Sequence, residues 1–307
     1  NKWFCKGSEA MIDTGHLKKL VRNGEISRFN DLSKSEREEC LKVAAEIGNC
    51  DLIKALVEQY GVFISAGRDA ALCAAVENDH FEAAKLCVKL GADPHVYREH
   101  PLFLAASNDN LELVRWLVDE CQADVHRKHD IILRVAAEYG SVQVFKYFAE
   151  VLKLDVRAKE NLAIIVACEK GALEIIKYLF SIELEEVFND GKVLEAASNH
   201  VPVLRLIFEH GINIHGSRGV ALKRAATQGN LASLQYLLEH GADIHVDDDA
   251  AIREACSRNQ VEAVTILLNS GADPNANQGE PLIIATNRRN DELVSCLVDH
   301  GANPKVS

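Results

Sequence analysis

The chain has 307 residues, of which 48% are hydrophobic and 26% are charged, as in ordinary folded proteins. Lysines and arginines number 34 against 46 aspartates and glutamates, which gives a formal net charge of −12. No apolar run approaches the roughly 18 residues of a membrane span, no secretory signal opens the chain, and no long basic run suggests nucleic-acid binding. We therefore expect a soluble protein that binds neither membranes nor nucleic acids.

The nine cysteines predict free thiols. Their number is odd, their spacing is irregular and no C-x-x-C pair occurs, whereas zinc ribbons and fingers need close pairs. Thiols of this kind usually pack as small hydrophobic groups in a reducing compartment. The expected location is therefore intracellular, in the cytoplasm.

In chain order, the first predicted segment is an N-terminal tail over residues 1–11, which is native or left over from expression. Residues 12–39 contain HLKKLVRNGEISRFNDL, which predicts a worn helix pair with a polar outer surface. A polar end repeat is what keeps a stack of repeats soluble. Nine regular repeats then occupy residues 40–305, so we expect one domain over residues 12–305.

The repeats are defined by pairs of small residues, spaced 29 to 31 residues apart. Alanine fills the first position of every pair: Ala44, Ala75, Ala105, Ala136, Ala167, Ala196, Ala225, Ala255 and Ala285. A larger side chain there would push apart helices of successive repeats, because protein interiors are close-packed. The alanines therefore predict the positions where one repeat presses against the next.

Other residue types recur at fixed distances from the alanine of each repeat. An aliphatic residue precedes the alanine by three positions, and a polar residue such as Asn110 or Asn230 follows where a helix start is expected. An apolar stripe at helical spacing comes next, and most repeats close with a Gly-Ala-Asp turn or a variant of it. Each repeat thus predicts a short helix, a tight turn, a second helix and a polar connector.

These residues resemble the ankyrin repeat, whose pattern T-P-L-H-x-A-A-x-x-G-H is followed by an apolar helix and G-A-D-x-N. The segments HPLFLAASNDNLELVRWLV (100–118) and EPLIIATNRRNDELVSCLV (280–298) keep the Pro-Leu step. The resemblance implies an all-α solenoid of stacked helix-turn-helix units with short β-hairpin-like connectors. Because these units have about 30 residues where the family has 33, they also resemble the ankyrin families of giant DNA viruses, which implies a virus-infected host cell.

Two repeats lack the regular closing turn and are expected to stack less tightly. One ends in AEVLKLDV, and the next ends in FSIELEEVFNDGK. Both fall between Val151 and Lys192.

Enzyme signatures are missing from the sequence: it contains no nucleotide-binding glycine loop, no H-E-x-x-H and no G-x-S-x-G. We therefore expect no enzyme, no cofactor and no metal. The histidines His95, His126, His215 and His245 share one repeat position, and packed elements 8–10 Å apart hold them too far from each other to ligate one zinc ion. The run Asp247–Asp249 is expected to be a solvated connector rather than a calcium loop.

Asn275, in LLNSGADPN, resembles the asparagine of ankyrin repeats that intracellular hydroxylases modify, and the family's turn residue is the alternative interpretation.

In ankyrin proteins a partner protein usually binds the concave face and the connector tips, and the two residues after the small pair face that groove. In this chain those positions vary while the alanines do not. The candidate partner-binding residues, including those of the connectors, are Ile47, Glu77, Tyr97, Asn108, Arg127, Lys128, Tyr139, Lys170, Gln228, Arg258 and Arg288. Ile47, Tyr97 and Tyr139 are the most specific of these, because buried interface anchors are enriched in aromatic residues.

The expected function is protein–protein interaction, as a scaffold or adaptor that is monomeric by itself. The alternative is a structural component that assembles end to end. A substrate receptor of a ubiquitin ligase is a third interpretation, but the F-box-like segment of such viral proteins is not visible here.

The alanine positions generate a first prediction. Replacing Ala225 by leucine should overpack the contact between repeats and cost about 1–3 kcal/mol of stability. Thermal unfolding of the Ala225→Leu variant measures this cost. An unchanged melting temperature would mean that the assumed helix phase is wrong.

Overall fold

The computed structural model describes residues 14–24, 26–126, 131–213 and 216–304. Contacts between Cα atoms divide the chain into two compact units, Asn1–Lys128 and His129–Ser307. Each unit is a stack of helix pairs, and the described residues contain no strand. The predicted all-α repeat architecture is therefore confirmed, while the single domain over residues 12–305 stays a prediction.

The first unit contains helices α1 to α7. Their bounds are α1 Thr14–Asn23, α2 Lys34–Glu46, α3 Cys50–Glu58, α4 Ala66–Glu77, α5 Phe81–Lys89, α6 Val96–Ser107 and α7 Leu111–Arg115, with a 3₁₀ helix at Ile26–Asp31 after α1. Helix α1 buries Leu17, Leu20 and Val21, and its other described residues are polar or glycine. The polar end repeat over residues 12–39 stays a prediction.

The second unit contains helices α8 to α19. Their bounds are α8 Ile131–Tyr139, α9 Val142–Lys146, α10 Ala158–Lys170, α11 Leu173–Ser181, α12 Gly191–Ala197, α13 Val201–Glu209, α14 Gly216–Gln228, α15 Leu231–Glu239, α16 Val246–Ser257, α17 Val261–Asn269, α18 Ala276–Asn287 and α19 Asp291–Asp299. A 3₁₀ helix at Glu185–Asn189 precedes α12.

Within each unit, the first helix of one repeat packs on the first helix of the next, and the second helices pack on each other in the same way. The nine alanines predicted at these contacts are all at most 4% exposed. A methyl group is the largest side chain that leaves room for two backbones to approach this closely. The alanine positions therefore set the spacing of the repeats.

Two second helices hold one extra residue before their closing turn. Helix α7 continues as a π-helical segment over Trp116–Glu120, and α9 continues as another over Tyr147–Val151. The wider i→i+5 turn absorbs a single inserted residue without shifting the following connector. Gln122 and Lys153 then take the left-handed position that glycine occupies in the regular repeats.

The connector before α12 replaces the missing Gly-Ala-Asp by the 3₁₀ helix Glu185–Asn189. Phe188 of this helix is fully buried, and its ring stacks on Phe180 with centroids 4.5 Å apart. Phe180 in turn stacks on His210 of the next repeat at 3.9 Å. The side chains of this connector are therefore packed, not loose as the sequence suggested.

The connectors are built differently from hairpins. In five of them, three successive residues have left-handed dihedrals, as at Tyr97, Arg98 and Glu99 with φ of 50°, 64° and 70°. The others lie at 67–69, 159–161, 247–249 and 277–279. Left-handed geometry costs roughly 1–2 kcal/mol for each non-glycine residue, so other interactions must offset it.

The third residue of three of these turns is a buried acid: Asp69, Glu99 and Asp249 are 6%, 3% and 4% exposed. Carboxylate oxygens of Asp69 and Asp249 accept the backbone N–H of Asp93 at 3.1 Å and of Asp273 at 3.0 Å, each in the next connector. These bonds tie successive connectors together and hold the turns in their strained geometry. Asp249 is thus a buried structural residue, and the expectation of a solvated Asp247–Asp249 run is wrong at this position, while Asp247 and Asp248 are exposed.

Burial raises the pKa of Asp69, the Asp93 N–H lowers it in part, and the nearby carboxylate of Asp93 raises it. A raised folded-state pKa means that the stability contributed by Asp69 is present at low pH and is lost as pH rises through that pKa. At neutral pH the ionised carboxylate is therefore unfavourable, although its oxygen is a needed acceptor.

Replacing Asp69 by asparagine keeps an acceptor for Asp93 and removes the charge. We expect the unfolding free energy of Asp69→Asn to rise relative to the unmodified chain as pH goes from about 4 to about 7. Urea unfolding at both pH values measures this, with Asp31→Asn as the control for losing an exposed carboxylate. A difference that is constant or shrinks with pH would contradict the account.

Candidate protein-binding surface

The candidate residues after each alanine pair lie where the first helix of a repeat ends. Tyr139, Lys170 and Gln228 are the last residues of α8, α10 and α14, and Glu77 is the last residue of α4. The others stand at C-cap positions: Ile47, Asn108, Arg258 and Arg288. We call these helix ends in each unit the first-helix face.

A residue with left-handed dihedrals directly follows each of these positions except Glu77, where Asn78 comes before the left-handed Asp79. At Gly48, with φ 69°, a Cβ atom would also lie 2.6 Å from the ring of His80 in the next repeat. Gly229 is similar, because a Cβ there would meet the side chain of Gln260 at 2.3 Å. Glycine at these two positions suits the left-handed dihedral angle and leaves room for the side chain that crosses from the neighbouring repeat.

Polar side chains at the start of the second helices make these crossings. His80 Nε2 is 3.0 Å from the carbonyl oxygen of Glu46, His200 Nε2 is 2.8 Å from that of Glu169, and Asn230 Nδ2 donates to that of Asn199 at 2.8 Å. The sequence predicted helix caps here, and Asn110 and Asn230 do cap their helices by accepting from Leu113 and Ser233. The same position therefore caps a helix and links two repeats.

The candidate side chains differ in how much of their surface is exposed and in whether they already form hydrogen bonds within the protein. Tyr139 is 65% exposed. Ile47 is half-buried and offers less surface than the sequence suggested. Asn108 donates its amide to the carbonyl oxygen of Glu77 at 2.8 Å, which brings these two candidates together. The side chains of Glu77, Lys170, Gln228, Arg258 and Arg288 are exposed.

Charges on the first-helix face of the second unit are partly compensated. The carboxylate of Glu138 lies 3.6 Å from Arg134 and 3.7 Å from Lys170, next to the exposed ring of Tyr139. Arg258 and Arg288 form no ion pair among the described residues. An aromatic ring beside a mixed charge cluster is the kind of surface on which interface anchors are found.

The connectors carry the other candidates. Tyr97 is 54% exposed and lies in the left-handed turn at the start of α6. Arg127 and Lys128 lie outside the described residues. Sequence reasoning missed Phe63, which is 69% exposed and stands where other repeats have the aspartate of Gly-Ala-Asp. The sequence does mark Phe63 as unusual, because an apolar residue stands at a turn position that is polar in other repeats.

The histidines predicted to be structural have such roles where they are described. His95 Nδ1 lies 3.0 Å from Glu99 and His245 Nδ1 lies 2.8 Å from Asp249, each within one connector. The backbone N–H of His126 donates to Asp124, and His215 lies outside the described residues. No group of three or more potential metal ligands occurs in the part of the chain that the structure describes.

Asn275 links two connectors with both ends of its side chain. Its Nδ2 donates to the carbonyl oxygen of Gly301 at 3.1 Å, and its Oδ1 accepts the N–H of Asn303 at 2.8 Å. This engagement matches the role of a turn residue.

The described cysteines are free thiols, and Cys40, Cys87, Cys168 and Cys256 are buried. Burial raises the pKa of the Cys256 thiol to about 12 and that of Cys40 to about 11. A thiol with such a pKa holds almost no nucleophilic thiolate at neutral pH. These four cysteines therefore pack as small hydrophobic groups, as the sequence predicted for the thiols.

The last repeat leaves an apolar groove open. Leu282, Ile283 and Thr286 of α18 line it together with Val294 and Val298 of α19. Ile283 and Val298 are 39% and 43% exposed, whereas Val264 and Leu268, at the positions of Val294 and Val298 one repeat earlier, are 0% and 7% exposed.

Among the described residues, no helix is long and apolar enough to cross a membrane.

Comparison with known proteins agrees with the geometry. A family model described as ankyrin repeats, in three copies, matches residues 41–129, 102–191 and 222–307. A search of curated proteins found no match. The family model covers well over half of the chain, with the matched segments falling on the stacked helix pairs, and the chain therefore belongs to the ankyrin-repeat family.

Proposed function

We propose that the chain is a scaffold or adaptor that binds a partner protein along the first-helix face and the connector tips, and that it acts by binding rather than by catalysis. Ankyrin repeats are generic protein–protein interaction modules. The observation that carries the proposal is the contrast between the nine uniformly buried alanines and the variable, exposed residues beside them. Packing explains the uniform positions and leaves the variable positions for recognition.

Within this surface, Tyr139 and Lys170 are the most favourable centre for a contact. The ring of Tyr139 presents a large rigid area at low entropic cost, and Lys170 pairs with Glu138, the residue before Tyr139. Buried thiols with raised pKa suit a reducing compartment, so we place the protein in the cytoplasm. The likeness to families of giant viruses remains a prediction.

The proposal predicts that partner binding depends on this surface. Affinity purification of the full chain from its source cells, followed by mass spectrometry, identifies the partner. A combined Tyr139→Ala and Lys170→Glu variant should weaken its binding by about 2 kcal/mol or more, roughly 30-fold, as for a central interface residue. Gln235→Ala, on an exposed position of the second helix α15, is the matched control and should bind normally. Equal retention by the two variants would contradict the proposed surface.

A second candidate function, end-to-end assembly, is favoured by the open groove of the last repeat. If copies associate through this groove, a combined Ile283→Glu and Val298→Glu variant should be monomeric where the unmodified chain is not. Size-exclusion chromatography with light scattering at high concentration measures the mass. A monomeric unmodified chain would exclude this alternative and agree with the monomer expected from the sequence.

A further inference from the structure

Connectors of the first unit place exposed aromatic rings beside exposed cations. Arg68 Cζ lies 5.7 Å from the ring centroid of Tyr97, and Lys34 Nζ lies 5.7 Å from that of Phe63. Phe63 and Tyr97 are 69% and 54% exposed, which is unusual for rings of this size in a solvent-facing turn. We call Phe63, Arg68, Tyr97 and Arg98 the connector patch.

The two arginines of the connector patch occupy equivalent positions in successive repeats. Arg68 has φ 59° and ψ 62°, and Arg98 has φ 64° and ψ 61°, each as the middle residue of a left-handed turn. Identical backbone geometry in successive repeats gives the two side chains the same starting direction. Packed helices are spaced by about 8–10 Å, so the two guanidinium groups start about that far apart.

These arginines have no acidic partner among the described residues. The acids that follow them in their own turns, Asp69 and Glu99, are buried and engaged with Asp93 N–H and His95. Strained turns that present unpaired charges suggest a role outside the fold.

The second unit provides the comparison. The same middle position of the described left-handed turns there holds Glu160, Asp248 and Gln278, and both carboxylates have partners within the protein. Glu160 pairs with Lys192, and Asp248 accepts the N–H of Asn277 at 2.9 Å. The acidic side chains of these turns are thus engaged within the protein, while Arg68 and Arg98 have no acidic partner among the described residues.

From this arrangement we infer that the connector patch binds an acidic, extended peptide segment of the partner protein. This inference rests on the proposed function and names the chemistry of the ligand. A guanidinium matches a carboxylate through two parallel hydrogen bonds. An extended chain rises about 3.3 Å per residue, so acidic residues three positions apart match the spacing of Arg68 and Arg98. An aromatic or aliphatic residue between them packs against Phe63 and Tyr97.

A nucleic acid is the less suitable occupant. The patch offers two arginines, with Lys34 beside the ring of Phe63, whereas the whole chain has a net charge of −12. Nucleic-acid surfaces carry a broad basic stripe, because affinity depends on neutralising many phosphates. A short acidic peptide needs only the local charge.

The experiment selects ligands without assuming a sequence. A displayed library of random 12-residue peptides is panned against the full chain and, separately, against a combined Arg68→Glu and Arg98→Glu variant. The control is a combined Lys54→Glu and Lys89→Glu variant, which makes the same charge change at exposed positions of the second helices α3 and α5. We expect the unmodified chain and the control to enrich peptides with acidic residues three apart and an apolar residue between them.

Fluorescence anisotropy then measures the binding of the consensus peptide, synthesised with a label. We expect reversal of Arg68 and Arg98 to weaken binding about tenfold or more, and binding to weaken with added salt. Replacing the glutamates of the peptide by glutamine should have the same effect. Circular dichroism should show unchanged folding of both variants.

Several results would overturn the inference: no enriched peptides, enriched peptides without an acidic excess, equal selection by the reversed variant, or tighter binding of a 12-residue oligothymidylate. None of these results contradicts the proposed function, because the dependence of partner capture on Tyr139 and Lys170 is measured in a separate experiment. Conversely, if the chain captures no partner protein but still binds the acidic peptide, the proposed function fails and the inference about the connector patch stands.

Discussion

The close approach of successive first helices is the constraint on which each unit depends. A single helix pair cannot bury its own apolar side, so its stability comes from the neighbour on which it stacks. Alanine at the contact lets the backbones approach, and every other feature follows from that spacing. The cross-repeat bonds of His80, His200 and Asn230 reach their carbonyl partners only because the repeats are this near.

The same spacing explains why the connectors tolerate strain. Three consecutive left-handed residues are unfavourable for tyrosine, arginine or glutamate by themselves. Asp69 and Asp249 offset part of this cost, because each carboxylate reaches a backbone N–H of the next connector. The buried carboxylates are therefore structural, and the exposed residues of the same turns are those that we propose for recognition. Because buried carboxylates hold the backbone of these turns, the outward side chains start from a fixed direction. A fixed direction lowers the entropic cost of binding a partner.

The sequence was sufficient to predict the repeats, the buried alanines and the helix ends that carry the candidate surface. These follow from periodicity and from side-chain size, which act locally. The left-handed turns could not be predicted, because Tyr97, Arg98 and Glu99 have no intrinsic preference for that geometry. The packing of Phe188 under the irregular connector also escaped prediction, since its partner Phe180 lies in α11 and itself stacks on His210 of the next repeat. Phe63 could have been found from the missing aspartate of its turn, whereas the lack of an acidic partner for Arg68 required the structure.

The central claim is that recognition occurs at the first-helix ends and connectors, and not on the second helices. Hydrogen–deuterium exchange of the full chain, measured alone and with its captured partner, tests this claim most directly. The account predicts that the partner protects peptides containing Tyr139 and Lys170 or the connector at 93–100, and leaves exchange in α15 and α17 unchanged. Protection confined to the second helices, with unchanged exchange at the first-helix ends and connectors, would contradict it.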